Sequence, residues 1–378
     1  MKVGIVKEIK NSENRVAIIP SSVKEFIRCG HEVYIECGAG IGSGFRDEEY
    51  AAAGAIMVEK AEDVWNNIDL LYKVKEILPS EYKYVREDLI IMTYIHSNAH
   101  RDETQVLLDA KCTSIALEDI TSDNPHRRFP LVANMGELAG KGGFLAACYY
   151  AQSIHGGPGL LLNNVCGSDS PIISIIGCGY TGMGAAEMAS SLGNTVKMMD
   201  INFEIMERAK SMLPGNVSFM YSSRAAIEEC LKISDVIINC VLWPKTRKDH
   251  LIYREDLKMM KPGAMIIDVA CDDGGAVETC RSTTHEDPVY YEEGILHYAV
   301  DNIPSAFSKS ASVRFSNDSL PYALAVANKG IKQALKDDRH LRAGLTTFDG
   351  KLTLKETAEK FEVPWTDPEE LIKQWSSC

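Results

Sequence analysis

The chain has 378 residues, 45% of them hydrophobic, enough for two ordinary domains with substantial cores. Its 40 basic and 53 acidic residues leave a formal charge of −13 with no basic block, so no nucleic-acid partner is expected. No stretch approaches a transmembrane span, and the opening KVGIVKEI reads as a strand rather than a secretion signal. The expectation is a cytoplasmic protein with no membrane partner.

Short apolar runs at 3–6, 32–36, 69–74, 89–95 and 114–118 predict strands, with helices over 22–28 and 47–53 between them. This alternation is that of an α/β domain. Arg15 stands in ENRVAIIP, directly before an apolar segment, and a planar guanidinium binds a small acid's carboxylate through two parallel hydrogen bonds. Lys75 follows the run LLYKV, where an ammonium at a strand end anchors a carboxylate or polarises a carbonyl. Taken alone, either residue reads more readily as a surface ion-pairing group, and Lys73 and Glu76 crowd the second assignment. His96 closes LIIMTYIH at a predicted strand end, and imidazole transfers protons near neutral pH. His100 in the same loop is the alternative titrating group, and a turn hydrogen bond is the plain role for either. This half carries no glycine-rich phosphate loop comparable to the one that follows, which makes it the candidate substrate side.

The Ala- and Gly-rich stretch 136–154 predicts a helix carrying the chain between domains. Beyond it, strands predicted at 172–176, 195–199, 217–220, 235–240, 265–270 and 295–300 give the texture of a doubly wound parallel sheet. At the end of the first of these strands, Gly177, Gly179 and Gly182 have the G-x-G-x-x-G spacing. The first glycine permits the tight turn, the second lets a pyrophosphate reach the backbone, and the third keeps the following helix close to the sheet. The helix start offers N–H groups and a positive dipole end to phosphates. Asp200, after the second strand, suits a ribose diol and repels a 2′-phosphate, so the expected cofactor is NAD rather than NADP. A ligand-free tight turn is the bland reading of the glycines alone; the flanking strands, the helix and Asp200 outweigh it. Asp272, just past MIIDVA, stands where loops at strand ends carry binding groups, though capping the next glycine turn serves equally well. Helices at 328–336 and 354–360 are expected to return the tail to the first domain. The eleven cysteines show no CxxC pair and no compact Cys/His spacing, so reduced structural thiols and no metal are expected.

The segments KEIKNSENRVAIIP, ECGAGIGSGF, KVKEILPSEY, TYIHSN, IIDVACDDGG and SLPYALAVANKG occur in that order around the dinucleotide loop. Together they make nearly the whole chain resemble the alanine dehydrogenase family, which includes the NAD-binding part of proton-pumping transhydrogenase. The resemblance implies two Rossmann-like domains separated by a cleft. The substrate domain takes residues 1–130 and 306–378, and the NAD-binding domain 131–305. It implies reversible oxidative deamination of L-alanine to pyruvate and ammonia. Arg15 and Lys75 match the family's carboxylate-binding residues, His96 its acid/base, Asp272 its essential carboxylate and Asp200 its ribose reader. It also implies a homo-oligomer, hexamers being common in the family, with small amino or oxo acids as its partners. The chain departs from the family pattern at Gly136, where a serine is usual, and in YAVDNIPSAFS, at Asp301, Ile303, Ser305 and Ser308. The altered 301–308 stretch keeps open a dehydrogenase or imine reductase for another small amino or imino acid; a non-catalytic NAD-responsive binding or assembly protein is the alternative of another class, against which the presence of Arg15, Lys75, His96 and Asp272 argues.

Overall fold

The structure is a computed structural model that describes residues 1–244, 247–271 and 274–376. The chain divides into two units, Met1–Val132 with Phe307–Cys378, and Ala133–Ala306.

In chain order the first unit contributes β1 (Lys2–Ile5), α1 (Pro20–Arg28), β2 (Glu32–Glu36), α2 (Asp47–Ala52), β3 (Ile56–Val58), α3 (Ala61–Asn67), β4 (Leu70–Tyr72), β5 (Ile90–Thr93), α4 (Arg101–Asp109) and β6 (Thr113–Ala116). The long α5 (Pro130–Tyr150) follows. The second unit then holds β7 (Ile172–Ile176), α6 (Tyr180–Ser191), β8 (Thr195–Asp200), α7 (Phe203–Met212), β9 (Val217–Tyr221), α8 (Arg224–Ile233), β10 (Val236–Asn239), β11 (Met265–Asp268), β12 (Val289–Glu292) and β13 (Ile295–Tyr298). The chain returns to the first unit with α9 (Ser308–Lys329), α10 (Ile331–Asp337), α11 (Arg339–Ala343), β14 (Leu345–Phe348), β15 (Lys351–Leu352), α12 (Lys355–Phe361) and α13 (Pro368–Ser376).

The two sheets share one winding. The first runs β15-β14-β6-β5-β4-β1-β2-β3, and the second β12-β13-β11-β10-β7-β8-β9. In each, the chain starts at an inner strand, β1 or β7, adds the next two strands on one side and then crosses to add the later strands on the other. The order reverses between β1 and β4 in one sheet and between β7 and β10 in the other. These strands pair in parallel, so the reversal opens a crevice at their carboxyl ends, where open α/β sheets bind ligands. Antiparallel strands are confined to one edge of each sheet: β14 and β15 in the first, β12 in the second.

Central strands are apolar on both faces because helices cover both. Leu70, Leu71 and Tyr72 of β4 and Val236, Ile237 and Ile238 of β10 are buried throughout. Local chemistry sets the helix starts. Pro20 opens α1, while the Asn202 side chain accepts from the backbone N–H groups of Glu204 and Ile205 at the start of α7. The helix expected over 328–336 is instead broken at Gly330, whose φ of +74° ends α9 at Lys329 and starts α10 at Ile331. Among the described residues, no helix is long and apolar enough to cross a membrane, and no group of His, Cys, Asp and Glu is placed to hold a metal ion.

Candidate functional site

In the second unit the glycine loop sits at the switch point, between the end of β7 and the start of α6. Gly177 has φ +102°, and its N–H donates to the Met199 carbonyl at 2.7 Å, tying the loop to β8. A Cβ on Gly182 would lie 1.9 Å from the Gly177 carbonyl oxygen, so only glycine lets α6 lie this close to the strand. Among the described residues, a Cβ on Gly179 would meet nothing within 4 Å. The protein's own packing therefore does not require that glycine, and the space before it is what a phosphate approaching the backbone would use. Gly179 is also the N-cap of α6 and has no side chain to cap it, leaving the helix's first N–H groups to an anion. Asp200 ends β8. Its Oδ2 accepts from the Cys178 N–H at 2.8 Å and its Oδ1 from the Asn202 N–H at 2.9 Å. Each oxygen keeps a further acceptor site for a ribose hydroxyl. These residues fit NAD: open backbone at the loop, an uncapped helix start and a carboxylate fixed beside them.

Four of the five departures from the family pattern, all but Asp301, have describable local surroundings. A Cβ on Gly136 would lie 2.9 Å from Thr181 Oγ1, and Cβ atoms on Gly140 and Gly184 would run into the Thr181 and Glu137 carbonyls at 1.8 and 2.3 Å. The missing hydroxyl at 136 thus belongs to a backbone-close crossing of α5 and α6. Asn302 takes a left-handed φ of +67°, and Ser305 Oγ donates to its carbonyl at 3.0 Å while lying 3.1 Å from His285 Nε2. Ile303 is buried. Ser308 Oγ donates to the Gly42 carbonyl within the first unit.

In the first unit the switch point gathers three of the residues named from sequence. Arg15 follows β1, Lys75 follows β4 and His96 follows β5. Arg15 is only 3% exposed. Its Nε and Nη2 donate to Glu13 Oε1 and Oε2 at 2.7 and 2.6 Å, a bidentate pair that fixes the plane of the guanidinium. Burial works against its charge, but Glu13, with Tyr94 and Glu8, outweighs it and holds the Arg15 pKa above its ordinary value. Lys75 is buried, and its N–H donates to Glu8 Oε1 at 3.3 Å. The same oxygen takes the Val74 N–H at 2.7 Å, while Glu8 Oε2 pairs with the fully buried Lys73 ammonium at 2.6 Å. Lys73 is thus engaged in the scaffold, and Glu76 pairs with Lys10 at 2.8 Å.

His96 has φ +50°, in the left-handed region that few non-glycine residues adopt. Glu118, two residues past β6, accepts the N–H groups of Ile95 and His96 at 3.2 and 2.5 Å and so holds this turn. Tyr94 stacks on the imidazole with centroids 6.0 Å apart. Surrounding protein first, then the Lys75 ammonium, push the His96 pKa down to about 4, although 46% of its side chain is open to solvent. The imidazole is neutral at pH 7, ready to accept a proton. Burial and the neighbouring Asp119 push Glu118 up to about 8. His100, the other candidate histidine, lies just before α4 and faces a separate cavity with Glu76 and Glu103.

Asp272, and Asp273 beside it, lie outside the described residues. The segment leading to them is held by Asp268, which is 2% exposed and accepts from Asn239 Nδ2 at 2.9 Å and from the Ala270 and Cys271 N–H groups at 3.2 and 3.3 Å. Sequence reading passed over Glu13, Glu8, Tyr94 and Glu118. The ENR spacing offered a signal for Glu13. For Glu118 the signal was register: Thr93 pairs with Ala116, so Ile95 and Glu118 follow opposite one another.

Comparison with known proteins places this arrangement. The N-terminal domain of the alanine dehydrogenase/PNT family matches residues 4–139, and its C-terminal domain residues 144–355. The chain is 40% identical to "Alanine dehydrogenase" of Methanococcus maripaludis over 375 residues, covering 99% of this chain and 100% of that protein. It is likewise 40% identical to "Alanine dehydrogenase 2" of Staphylococcus aureus over 374 residues, with the same shares covered. A solved L-alanine dehydrogenase superposes with a TM-score of 0.91 at 38% identity, over 96% of this chain and 99% of that one. The chain belongs to the alanine dehydrogenase/PNT family.

Proposed function

We infer that the protein catalyses the NAD-dependent, reversible oxidative deamination of L-alanine to pyruvate and ammonia. Family membership supports the reaction. The structural observation that carries it is the gathering of the buried Arg15 and Lys75 with His96 after the neighbouring strands β1, β4 and β5. We assign substrate binding to residues 1–130 with 306–378, and NAD binding to 131–305 through Gly177, Gly179, Gly182 and Asp200.

Bound NAD supplies the acceptor for the hydride of the substrate α-carbon. The chain's own residues do the rest. Arg15 and Lys75 bind the alanine carboxylate, the guanidinium fixing its plane and the ammonium its charge. Glu13 keeps the guanidinium from rotating. Once alanine is oxidised to its imine, His96 takes a proton from the water that adds to the imine carbon, and it returns a proton as ammonia leaves. In the reverse direction it moves the same protons in the opposite order. Asp272 is assigned the nitrogen-bearing intermediate by its match to the family's essential carboxylate. The ten described cysteines are all free, which suits a reducing compartment, and we place the enzyme in the cytoplasm as a homo-oligomer.

A two-way assay tests this reading. Purified protein with L-alanine and NAD⁺ is expected to form NADH and pyruvate, and pyruvate with NADH to be consumed only when ammonium is present. Folded, NAD-binding protein inactive in both directions would overturn the assignment.

A further inference from the structure

We propose that a cavity between the segment after β4 and the first turn of α4 binds a small monovalent cation, and that its ligand is the ammonium used and released in the reaction. The identity of the ligand rests on the deamination reading; the existence of the cation site does not.

The cavity has a volume of 350 Å³ and is bordered by Glu76, Leu78, Tyr82, His100, Asp102 and Glu103. Glu103 is 1% exposed and Glu76 is 3% exposed. Glu103 Oε1 accepts the Ile77 N–H at 2.7 Å, and Glu76 Oε1 takes the Lys10 ammonium at 2.8 Å. The second oxygen of each, Glu103 Oε2 and Glu76 Oε2, is buried and has no hydrogen-bond partner among the described residues. One buried carboxyl oxygen left without a donor costs about 1–3 kcal/mol, more if it is charged. Two on one cavity are a standing demand for a donor or a cation.

The surrounding charge selects the ligand. Burial pushes the Tyr82 hydroxyl pKa up, and Glu103, Asp102 and Glu76 add to the effect, so three carboxyl groups on the cavity wall lie within electrostatic reach of that phenol. Of the nearby cations, Lys10 is engaged with Glu76 Oε1 and Lys75 adds to the field there, Lys73 acts on Glu103 but is paired with Glu8, and the Arg101 guanidinium, also on the cavity wall, lies over the Phe361 ring at 5.6 Å. The α4 N-terminus adds partial positive charge, which the carboxyls of Asp102 and Glu103 in its first turn offset. The cavity therefore favours a cation over an anion or a neutral acid. A divalent metal is not favoured, because the described His, Cys, Asp and Glu residues form no group able to hold one. Ammonium carries a single charge and has only N–H donors to offer, which complements the two carboxyl oxygens and the phenol.

The position suits a co-substrate. Glu76 follows Lys75 directly, and its charge is felt at the His96 imidazole. Glu103 is held largely protonated at neutral pH, pushed up to about 9 by burial, with Glu76 and Glu118 adding. An arriving cation displaces that proton to solvent and finds two carboxylates, of which Glu76 is the one felt at His96.

Cofactor-free protein is titrated by calorimetry with ammonium chloride, potassium chloride and sodium chloride in turn, ionic strength being held with tetramethylammonium chloride. Saturable ammonium binding is expected, weakened about tenfold by Glu103→Leu and in the same direction by the isosteric Glu103→Gln. In turnover, Glu103→Leu is expected to raise the KM for ammonium about tenfold, with kcat and the KM for pyruvate within about twofold of the parent. Absence of saturable binding in the parent, or parent-like ammonium affinity in both variants, overturns the site. Potassium binding as tightly as ammonium overturns the ammonium assignment. Ammonium binding in a protein that fails to turn over alanine supports the site and rejects the deamination reading.

Discussion

Arg15 and Glu13 form a buried bidentate ion pair two residues apart, with contacts of 2.7 and 2.6 Å. The pair lies at the end of the first sheet where its strand order reverses. A guanidinium held in one plane meets a substrate carboxylate without first losing rotational freedom. Arg15→Lys keeps the charge and loses the fork, so the KM for alanine is expected to rise about tenfold or more while NAD affinity is unchanged. Glu13→Gln breaks the pair and leaves a buried cation, with an expected stability loss of about 3–5 kcal/mol. Steady-state kinetics and urea denaturation measure the two effects, and an Arg15→Lys enzyme with parental KM would remove Arg15 from the carboxylate site.

The glycines of the dinucleotide loop separate by what a methyl group would meet. At Gly182 it would strike the Gly177 carbonyl at 1.9 Å, whereas at Gly179 it would enter open space. Gly182→Ala is therefore expected to destabilise the fold by about 1–3 kcal/mol or more. Gly179→Ala is expected to leave stability within about 0.5 kcal/mol of the parent and to weaken NAD binding about tenfold. Thermal unfolding without cofactor, beside a fluorescence titration with NADH, reads both. Equal losses of stability in the two variants would contradict the role given to Gly179.

This contrast shows what was legible in the sequence. The spacing of Gly177, Gly179 and Gly182 pointed to the loop because backbone sterics leave few residues that fit there, and the strand at 172–176 matches β7 residue for residue. Central strands were readable as apolar runs because both faces are covered. The edge strands β3, β12 and β15 escaped notice because they are short and partly solvent-facing, and the inner, mostly buried β14 because LTTF has two threonines at its centre and no apolar run. Most of α9 was passed over for a different reason. Its small polar residues face inward: Ser312 and Ser316 accept the N–H groups of Val16 and Ile19, so a polar sequence covers a buried face. Arg15, Lys75 and His96 were visible as residue types at strand ends. Their supporting carboxylates Glu13, Glu8 and Glu118 were not, since two of the three act from another segment of the chain.

Asp200 carries the discrimination between cofactors. Its carboxylate is fixed by the Cys178 and Asn202 N–H groups at 2.8 and 2.9 Å, so it cannot swing away from a 2′-phosphate. Asp200→Ser removes the repulsion and is expected to raise the NADP-to-NAD ratio of kcat/KM at least about tenfold. Most of the change should appear in KM rather than kcat, because the ribose lies away from the reacting atoms. A ratio unchanged by the substitution would place cofactor choice elsewhere.

The acid side of the pH profile follows from His96 and Lys75. The imidazole is pushed down to about 4, by burial first and by the Lys75 ammonium next, from an ordinary value near 6.5. A base of that kind is competent throughout the neutral range and is lost only as pH falls through about 4. The sign for stability is the same: between 6.5 and 4 the unfolded chain takes up a proton that the folded chain refuses, so this residue erodes stability as pH falls. Lys75→Ala removes the largest of the depressing charges and leaves burial, His100 and Lys10, so the His96 pKa is expected to rise toward 6.5 without reaching it. Because the same substitution weakens carboxylate binding, the imidazole is best read directly, by NMR titration of His96 in the parent and the variant. In turnover the acidic limb of kcat should move to higher pH in Lys75→Ala. A parent His96 titrating at its ordinary value, or one indifferent to Lys75, would mean that the lysine does not tune the base.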